Sequence, residues 1–168
     1  MMITADHCHL MARYNRWMSG KIYGCCAEMS DAERKRDRGA FFGSIHATLN
    51  HIFYGDLAFM SRFTGDPPEP PELGVILHED FEELRRAREA LDAHIENWAS
   101  ALTAEWLGEI LTFVSKVDGK EKTYARWVLV THMFNHEIHH RGQITTLVSQ
   151  MGVDIGSTDI TFMPPAAD

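Results

Sequence analysis

Histidines are concentrated near the end of this 168-residue sequence, where Thr131–Met151 contains four of the ten. Two of the four, His136 and His140, are separated by about one turn of an α-helix, since ~3.6 residues make a turn. They share a helix face with the large apolar residues Leu129 and Leu147. Because a buried neutral imidazole needs partners for its donor and its acceptor, this pair indicates either hydrogen-bonded core residues or two ligands of a divalent metal.

A metal site inside a helical protein needs a further ligand from a facing helix. His51 is the candidate, although it lies on the flank of its predicted helix rather than at the centre of the apolar face. In the last helix the adjacent His139 and His140 compete for one role. We favour His140, because on a helical wheel it lies closer to the core face than His139 does.

The same residues also match a different motif. Residues His136 to His140 fit H-E-x-x-H, in which Glu137 would be the general base of a zinc hydrolase. The extended form of that motif requires a histidine at position 146, where this sequence has Thr146. A zinc hydrolase is therefore a remote alternative. A further alternative is a non-catalytic, metal-stabilised helical module of stress response, because no nucleophile or general acid can be identified.

Composition limits the classes of function. Sixteen Lys and Arg residues against 24 Asp and Glu give a net charge of −8, which argues against a nucleic-acid partner. No apolar run is long enough to span a bilayer, so we expect no membrane partner. The three cysteines are poorly spaced for a disulfide framework and the start of the chain does not resemble a signal peptide. These features predict a reduced, cytoplasmic protein.

Hydrophobic periodicity predicts four long helices, and a capping box at Ser30–Glu33 predicts a short helical segment after the first of them. The predicted long helices cover about Asp6–Met29, Phe41–Phe63, Glu79–Leu102 and Arg126–Met151.

The connections complete the predicted fold. Four of the six prolines lie in a long loop, Asp66–Leu77. Between Glu109 and Tyr124, two short β-like runs flank the turn sequence Asp118-Gly119, which predicts a β-hairpin. We therefore predict an all-α protein, a four-helix bundle with a small β-hairpin before the last helix, in a single domain of residues 1–168 whose residues 152–168 form a loop or extended tail.

Several polar residues and glycines have predicted roles. Asp56 lies on the apolar face of the second long helix, where it would pair with Arg13 or Arg16 or hydrogen-bond an imidazole. Arg88 belongs to a predicted solvated face with its charged neighbours, and Arg141 is expected to face solvent or a neighbouring element.

Gln143 lies on the ligand face, where it would orient a ligand, contact substrate or form a buried hydrogen bond. Gly20, Gly24 and Gly142 are expected to permit close approach of neighbouring helices.

Two stretches of the sequence resemble the DinB superfamily, also known as the DinB/YfiT-like metalloenzymes. They are SIHATLNHIFYGD (Ser44–Asp56) and HMFNHEIHHRGQITTLVSQMG (His132–Gly152). RYNRW (Arg13–Trp17) and RGAFFGS (Arg38–Ser44) are also similar to that superfamily. The resemblance covers most of the chain, and NHEIHHRGQ is its most specific part.

The resemblance implies a four-helix bundle, commonly a homodimer, with one divalent ion held by three histidines. Position by position, the ligands fall on His51, His136 and His140. Zinc or nickel would suit these ligands, and iron would accept them too. Superfamily members with an assigned activity include transferases and isomerases that use small thiols such as bacillithiol or mycothiol. The resemblance therefore implies a metal-dependent enzyme that activates a low-molecular-weight thiol, or water, for transfer to a small electrophilic substrate.

Overall fold

The computed structural model of the protein describes residues 3–165, so residues 1–2 and 166–168, the last of the predicted tail, lie outside the described residues. The elements follow in the predicted order, with one additional short helix, α5, and a 3₁₀ turn in the tail. They are α1 (Ala5–Ala27), α2 (Asp31–Lys35), α3 (Ile45–Thr64), α4 (Phe81–Ser100), α5 (Ala104–Gly108), β1 (Ile110–Val114), β2 (Glu121–Ala125), α6 (Arg126–Gln150) and a 3₁₀ helix (Ile160–Phe162).

The four long helices form the predicted four-helix bundle. Helix α1 packs against α4 and α6, and α3 packs against the same two helices, so that the four close into a ring. Large apolar side chains fill the interior, and the most completely buried include Met18, Ile22, Leu49, Met133 and Ile144. Because α3 and α6 are direct neighbours, their facing side chains can form a shared site.

Helix α3 begins four residues later than predicted. The Ser44 hydroxyl accepts a hydrogen bond from the backbone N–H of Ala47 and caps the helix there. Gly43, with a φ of 76°, forms a turn with Ala40 immediately before the cap. This turn takes Phe42 out of the helix. At the other end, Gly65 adopts a left-handed conformation with a φ of 79° and stops the helix.

The predicted hairpin is confirmed. Strands β1 and β2 pair antiparallel with Leu111 opposite Tyr124, and Gly119 in the connecting turn has a φ of 67°. Helix α5, which is capped by the Thr103 hydroxyl, is not among the predicted elements. A five-residue helix is too short to show a helical period in its sequence.

Apart from the 3₁₀ turn, residues 152–165 form no regular helix or strand, and they pack along α1. The Tyr14 hydroxyl donates to the carbonyl of Thr158 over 2.7 Å, and Lys21 donates to the carbonyl of Ser157 over 2.5 Å. Arg13 donates to the carbonyl of Pro164. Within residues 3–165, no helix is both long and apolar enough to cross a bilayer.

Candidate metal centre

Three histidines from two helices converge at the contact between α3 and α6. Nε2 of His51 lies 2.9 Å from Nε2 of His136, and the three ring centroids are 4.5, 4.6 and 4.9 Å apart. One ring nitrogen of each residue, including His140, lies within 4.8 Å of those of the other two. Imidazole–metal bonds of ~2.1 Å place nitrogen ligands about 3.0–3.4 Å apart, so small side-chain adjustments would suit one divalent ion.

The environment of these imidazoles favours their neutral form. Burial, followed by the neighbouring rings of His136 and His140, lowers the pKa of His51 to about 3. Burial, and next the charge of His140, lowers the pKa of His136 to about 4. Burial also lowers the pKa of His140. Because a neutral imidazole carries a free lone pair, all three rings can act as metal ligands at neutral pH without prior loss of a proton.

Gln143 orients the ring of His140. Nδ1 of His140 lies 2.8 Å from Oε1 of Gln143. An amide oxygen can only accept, so this contact assigns the ring proton to Nδ1 and leaves Nε2 with the lone pair. Of the alternatives that the sequence left open for Gln143, the structure supports the orienting one.

His139 and His132 stand apart from this set. Both side chains are exposed. The ring of His139 contacts His140 at 4.8 Å between centroids, and that of His132 lies 6.1 Å from His136. The structure thus brings His140, rather than His139, together with the other two rings. The role of the three as metal ligands stays a prediction.

Phe42, a residue without a predicted role, covers the site. Its ring stacks on that of His51 at 3.9 Å between centroids and contacts His140 edge-on at 5.4 Å. The turn that ends at Gly43 places the ring there. The adjacent Phe41 is 83% exposed, so only one of the two neighbouring aromatic residues faces the histidines. In the sequence, the only sign of this turn is Gly43, which stands immediately before the helix cap Ser44.

Gly55 permits the close approach of His136. A Cβ at position 55 would lie 2.8 Å from Cε1 and 3.2 Å from Nδ1 of His136, which is too close for the ring to stay in place. The predicted close-packing roles of Gly20, Gly24 and Gly142 are wrong, because a Cβ at any of the three would meet no atom within 4 Å. Those glycines face open space, whereas Gly55 faces α6.

Behind the histidines lies a network of buried charges that the sequence analysis did not predict. Arg88 is 2% exposed, so its assignment to a solvated face is wrong. It pairs with Asp56 of α3 and, over 2.6 Å, with Asp92 one turn away on α4. Asp56 therefore has a different partner from the predicted Arg13 or Arg16; the latter pairs with Glu96 at the surface.

Glu137 also belongs to this network and is not a member of the histidine cluster. It is fully buried, and its carboxylate lies 3.5 Å from the guanidinium of Arg141, which also donates to the side chain of Asn15 on α1. Arg141 is 5% exposed and contacts a neighbouring helix rather than solvent. Burial, and next the charge of Asp56, raises the pKa of Glu137.

A cavity of about 520 Å³ opens beside the histidines. His51, Gly55 and His136 form one end of it. Its walls come from α3, α6 and the β-hairpin, and they are mainly apolar and aromatic: Ala58, Phe59, Phe113, Val128 and Leu129 are among them. The arrangement therefore places a potential metal centre at the end of a pocket large enough for a small organic molecule.

Comparison with known proteins finds a family and a relative of this chain. The sequence profile of the DinB family matches residues 1–167. A curated relative, Protein DinB of Bacillus subtilis (strain 168), is 25% identical over 162 residues, and the match covers 92% of this chain and 92% of the relative.

Proposed function

The chain belongs to the DinB family, and we propose that it is a metal-dependent enzyme in which His51, His136 and His140 hold one divalent ion, zinc or nickel. The convergence of three neutral imidazoles, two of which, His51 and His136, line an apolar cavity, carries this proposal. Such an ion, when bound, supplies a Lewis acid that lowers the pKa of a thiol or water and so provides a nucleophile at neutral pH.

The residues around the three imidazoles support this role. Gln143 holds His140 in the tautomer that presents Nε2, and Phe42 packs against two of the rings and shields them from solvent. Gly55 leaves room for His136. With the ring positions set in advance, little side-chain entropy would be lost on binding an ion.

The cavity supports a small electrophile as substrate. Its volume of about 520 Å³ lies within the usual range of small-molecule sites, roughly 300–1,000 Å³. Its apolar walls would exclude water from the reacting atoms. We propose that a low-molecular-weight thiol, or water, is transferred to a small electrophilic molecule that occupies this cavity.

Elemental analysis of protein purified without a histidine tag tests the metal site. We expect about one zinc or nickel ion per chain in the wild type and a loss of most of it in His51→Ala and in His136→Ala. His139→Ala is the matched control, because His139 is exposed and lies beside His140, and it should keep its metal. Full metal content in both ligand variants would show that the proposed site is wrong.

Cobalt substitution separates an enzyme from a non-catalytic module. The Co²⁺-substituted protein should change its visible spectrum when a small thiol such as cysteine is added, because three protein ligands leave a coordination position open. A spectrum that does not respond to any small thiol or to azide would indicate a closed, structural site.

The zinc-hydrolase alternative has a separate test at Glu137. The carboxylate of Glu137 lies in the buried network and is not part of the cavity wall. We therefore expect Glu137→Gln to keep its metal and its activity. A hydrolase that uses Glu137 as general base would lose activity while it kept its metal.

A further inference from the structure

The cavity beside the histidines is elongated along α3. His51, Gly55, Phe59 and Arg62 recur at intervals of three or four residues and all line it, so they form one stripe along the helix. With ~1.5 Å of rise per residue, the α-carbons of His51 and Arg62 are roughly 16 Å apart along the helix axis. The histidines and Arg62 therefore occupy opposite ends of one cavity.

The lining of the cavity carries three cations, one of which, Arg62, lies at the end far from the histidines. Arg62, Lys116 and Lys122 contribute to its lining, and no Asp or Glu is among its lining residues between positions 3 and 165. This local charge contrasts with the net charge of −8 on the whole chain. A cavity with an apolar middle and a cationic end is complementary to an amphipathic anion.

The two lysines already have carboxylate partners outside the cavity lining. Nζ of Lys116 lies 3.4 Å from Oε1 of Glu69, and Nζ of Lys122 lies 2.8 Å from Oδ2 of Asp118. Glu69 is also the carboxylate whose charge acts most on Arg62, and its pairing with Lys116 takes up part of that charge.

Arg62 has no such partner. Its guanidinium forms no ion pair or hydrogen bond with the part of the chain that the structure describes, and it lies 4.6 Å from the ring centroid of Phe113 and 5.7 Å from that of Phe59. Arg88 and Arg141, by contrast, are both paired with carboxylates. Burial lowers the pKa of Arg62, the direction expected of a cation that has lost water without gaining a partner.

We propose that Arg62 binds the carboxylate of a small amphipathic ligand whose apolar body fills the cavity and whose other end lies beside His51 and His136. A planar guanidinium that packs near two aromatic rings offers two parallel N–H donors, which match the geometry of a carboxylate. The identification of this ligand as the substrate rests on the proposed function. Binding of the carboxylate by Arg62 does not.

The charge requirement can be measured with two matched probes, phenylbutanoate and its neutral analogue phenylbutanamide. Isothermal titration calorimetry on the wild-type protein should show that the carboxylate binds about tenfold or more tightly than the amide, as expected for a charge-assisted hydrogen bond. Longer and shorter phenylalkanoates adjust the probe to the length of the cavity. Equal affinities for acid and amide, or no binding of any acid in the series, would overturn the proposal.

Substitutions at position 62 test whether Arg62 causes the preference for the carboxylate over the amide. In Arg62→Met the ratio of acid to amide affinity should fall to about one, because methionine keeps an apolar stem without a charge. Arg62→Lys should keep part of the ratio, since the charge stays while the planar fork is lost. Arg86→Met removes an exposed arginine from α4 and should leave the ratio unchanged. A wild-type ratio in Arg62→Met would overturn the proposal even if the protein binds both probes more weakly.

The same probes separate this inference from the metal proposal. The acid-to-amide ratio should persist in metal-free wild-type protein and in His51→Ala. Loss of metal from His51→Ala together with equal probe affinities in the wild type would overturn the role of Arg62 alone. Full metal in the histidine variants with an intact ratio would overturn the metal site alone.

Discussion

The ring of His136 depends on the absence of a side chain at Gly55. In Gly55→Ala the new Cβ would lie 2.8 Å from Cε1 of His136 and would displace the imidazole from the other two. We expect the affinity for zinc to fall by about tenfold or more, comparable to the loss of an orienting contact at a metal ligand. Competition with a chromophoric chelator measures the change.

Gly142→Ala is the matched control for this prediction. Gly142 lies on the histidine-bearing helix, but a Cβ there would meet no atom within 4 Å. The substitution should leave metal affinity unchanged and stabilise the protein by about 0.5–1 kcal/mol through helix propensity. Equal metal affinity in Gly55→Ala and Gly142→Ala would contradict the proposed dependence of His136 on Gly55.

At the level of elements, a buried polar network links the four long helices. Asn15 comes from α1, Asp56 from α3, Arg88 and Asp92 from α4, and Glu137 and Arg141 from α6; all are at most 5% exposed. The Asp56–Arg88 pair joins α3 to α4, and the contact of Arg141 with Asn15 joins α6 to α1. Apolar packing tolerates small shifts between helices, whereas hydrogen-bonded charges do not, so the network favours one arrangement of the bundle.

Arg88→Met should destabilise the bundle strongly. The substitution leaves the carboxylates of Asp56 and Asp92 buried without their cation, which costs about 3–5 kcal/mol. Urea unfolding followed by circular dichroism measures the loss. Arg86→Met, on the exposed face of the same helix, should change the free energy of unfolding by no more than about 0.5 kcal/mol. Similar stabilities for the two variants would show that the network contributes little.

At the level of the whole molecule, a metal ion held by α3 and α6 would join two neighbouring helices of the ring. Adding zinc to chelator-treated protein should stabilise the folded state by about 2.7 kcal/mol at a hundredfold excess over Kd. For a protein of this size that raises Tm by about 5–10 °C. Thermal unfolding with and without EDTA measures the shift.

His51→Ala provides the control for thermal stabilisation. It removes the ligand from α3, so its Tm should respond little to zinc. An equal shift in His51→Ala and the wild type would place the stabilising ion elsewhere. The single domain, the homodimer and the cytoplasmic location stay predictions from the sequence and its resemblance.

Local sequence patterns are sufficient to predict most elements of this fold and much of its candidate site. The periods of apolar residues in α1, α3, α4 and α6 are local signals, as are the Ser30 cap and the Asp118-Gly119 turn, so each could be predicted without knowledge of its neighbours. The pairing of His136 with His140 is equally local. The prediction of His51 as a ligand rests on the need for a histidine from a facing helix and on the family resemblance.

The burial of polar residues and the contacts that complete the site depend on how the helices pack together. Arg88 appears solvated on a helical wheel, yet Asp56, 32 positions earlier, makes it a buried cation. Gly55 likewise acquires its role from His136 of α6, and Phe42 acquires its role from the ring of His51. Arg62 acquires its role from its contact with Phe113 of the hairpin. The physical reason is that helical periodicity reports one continuous apolar face, whereas charge pairing and close approach depend on residues that are distant in sequence.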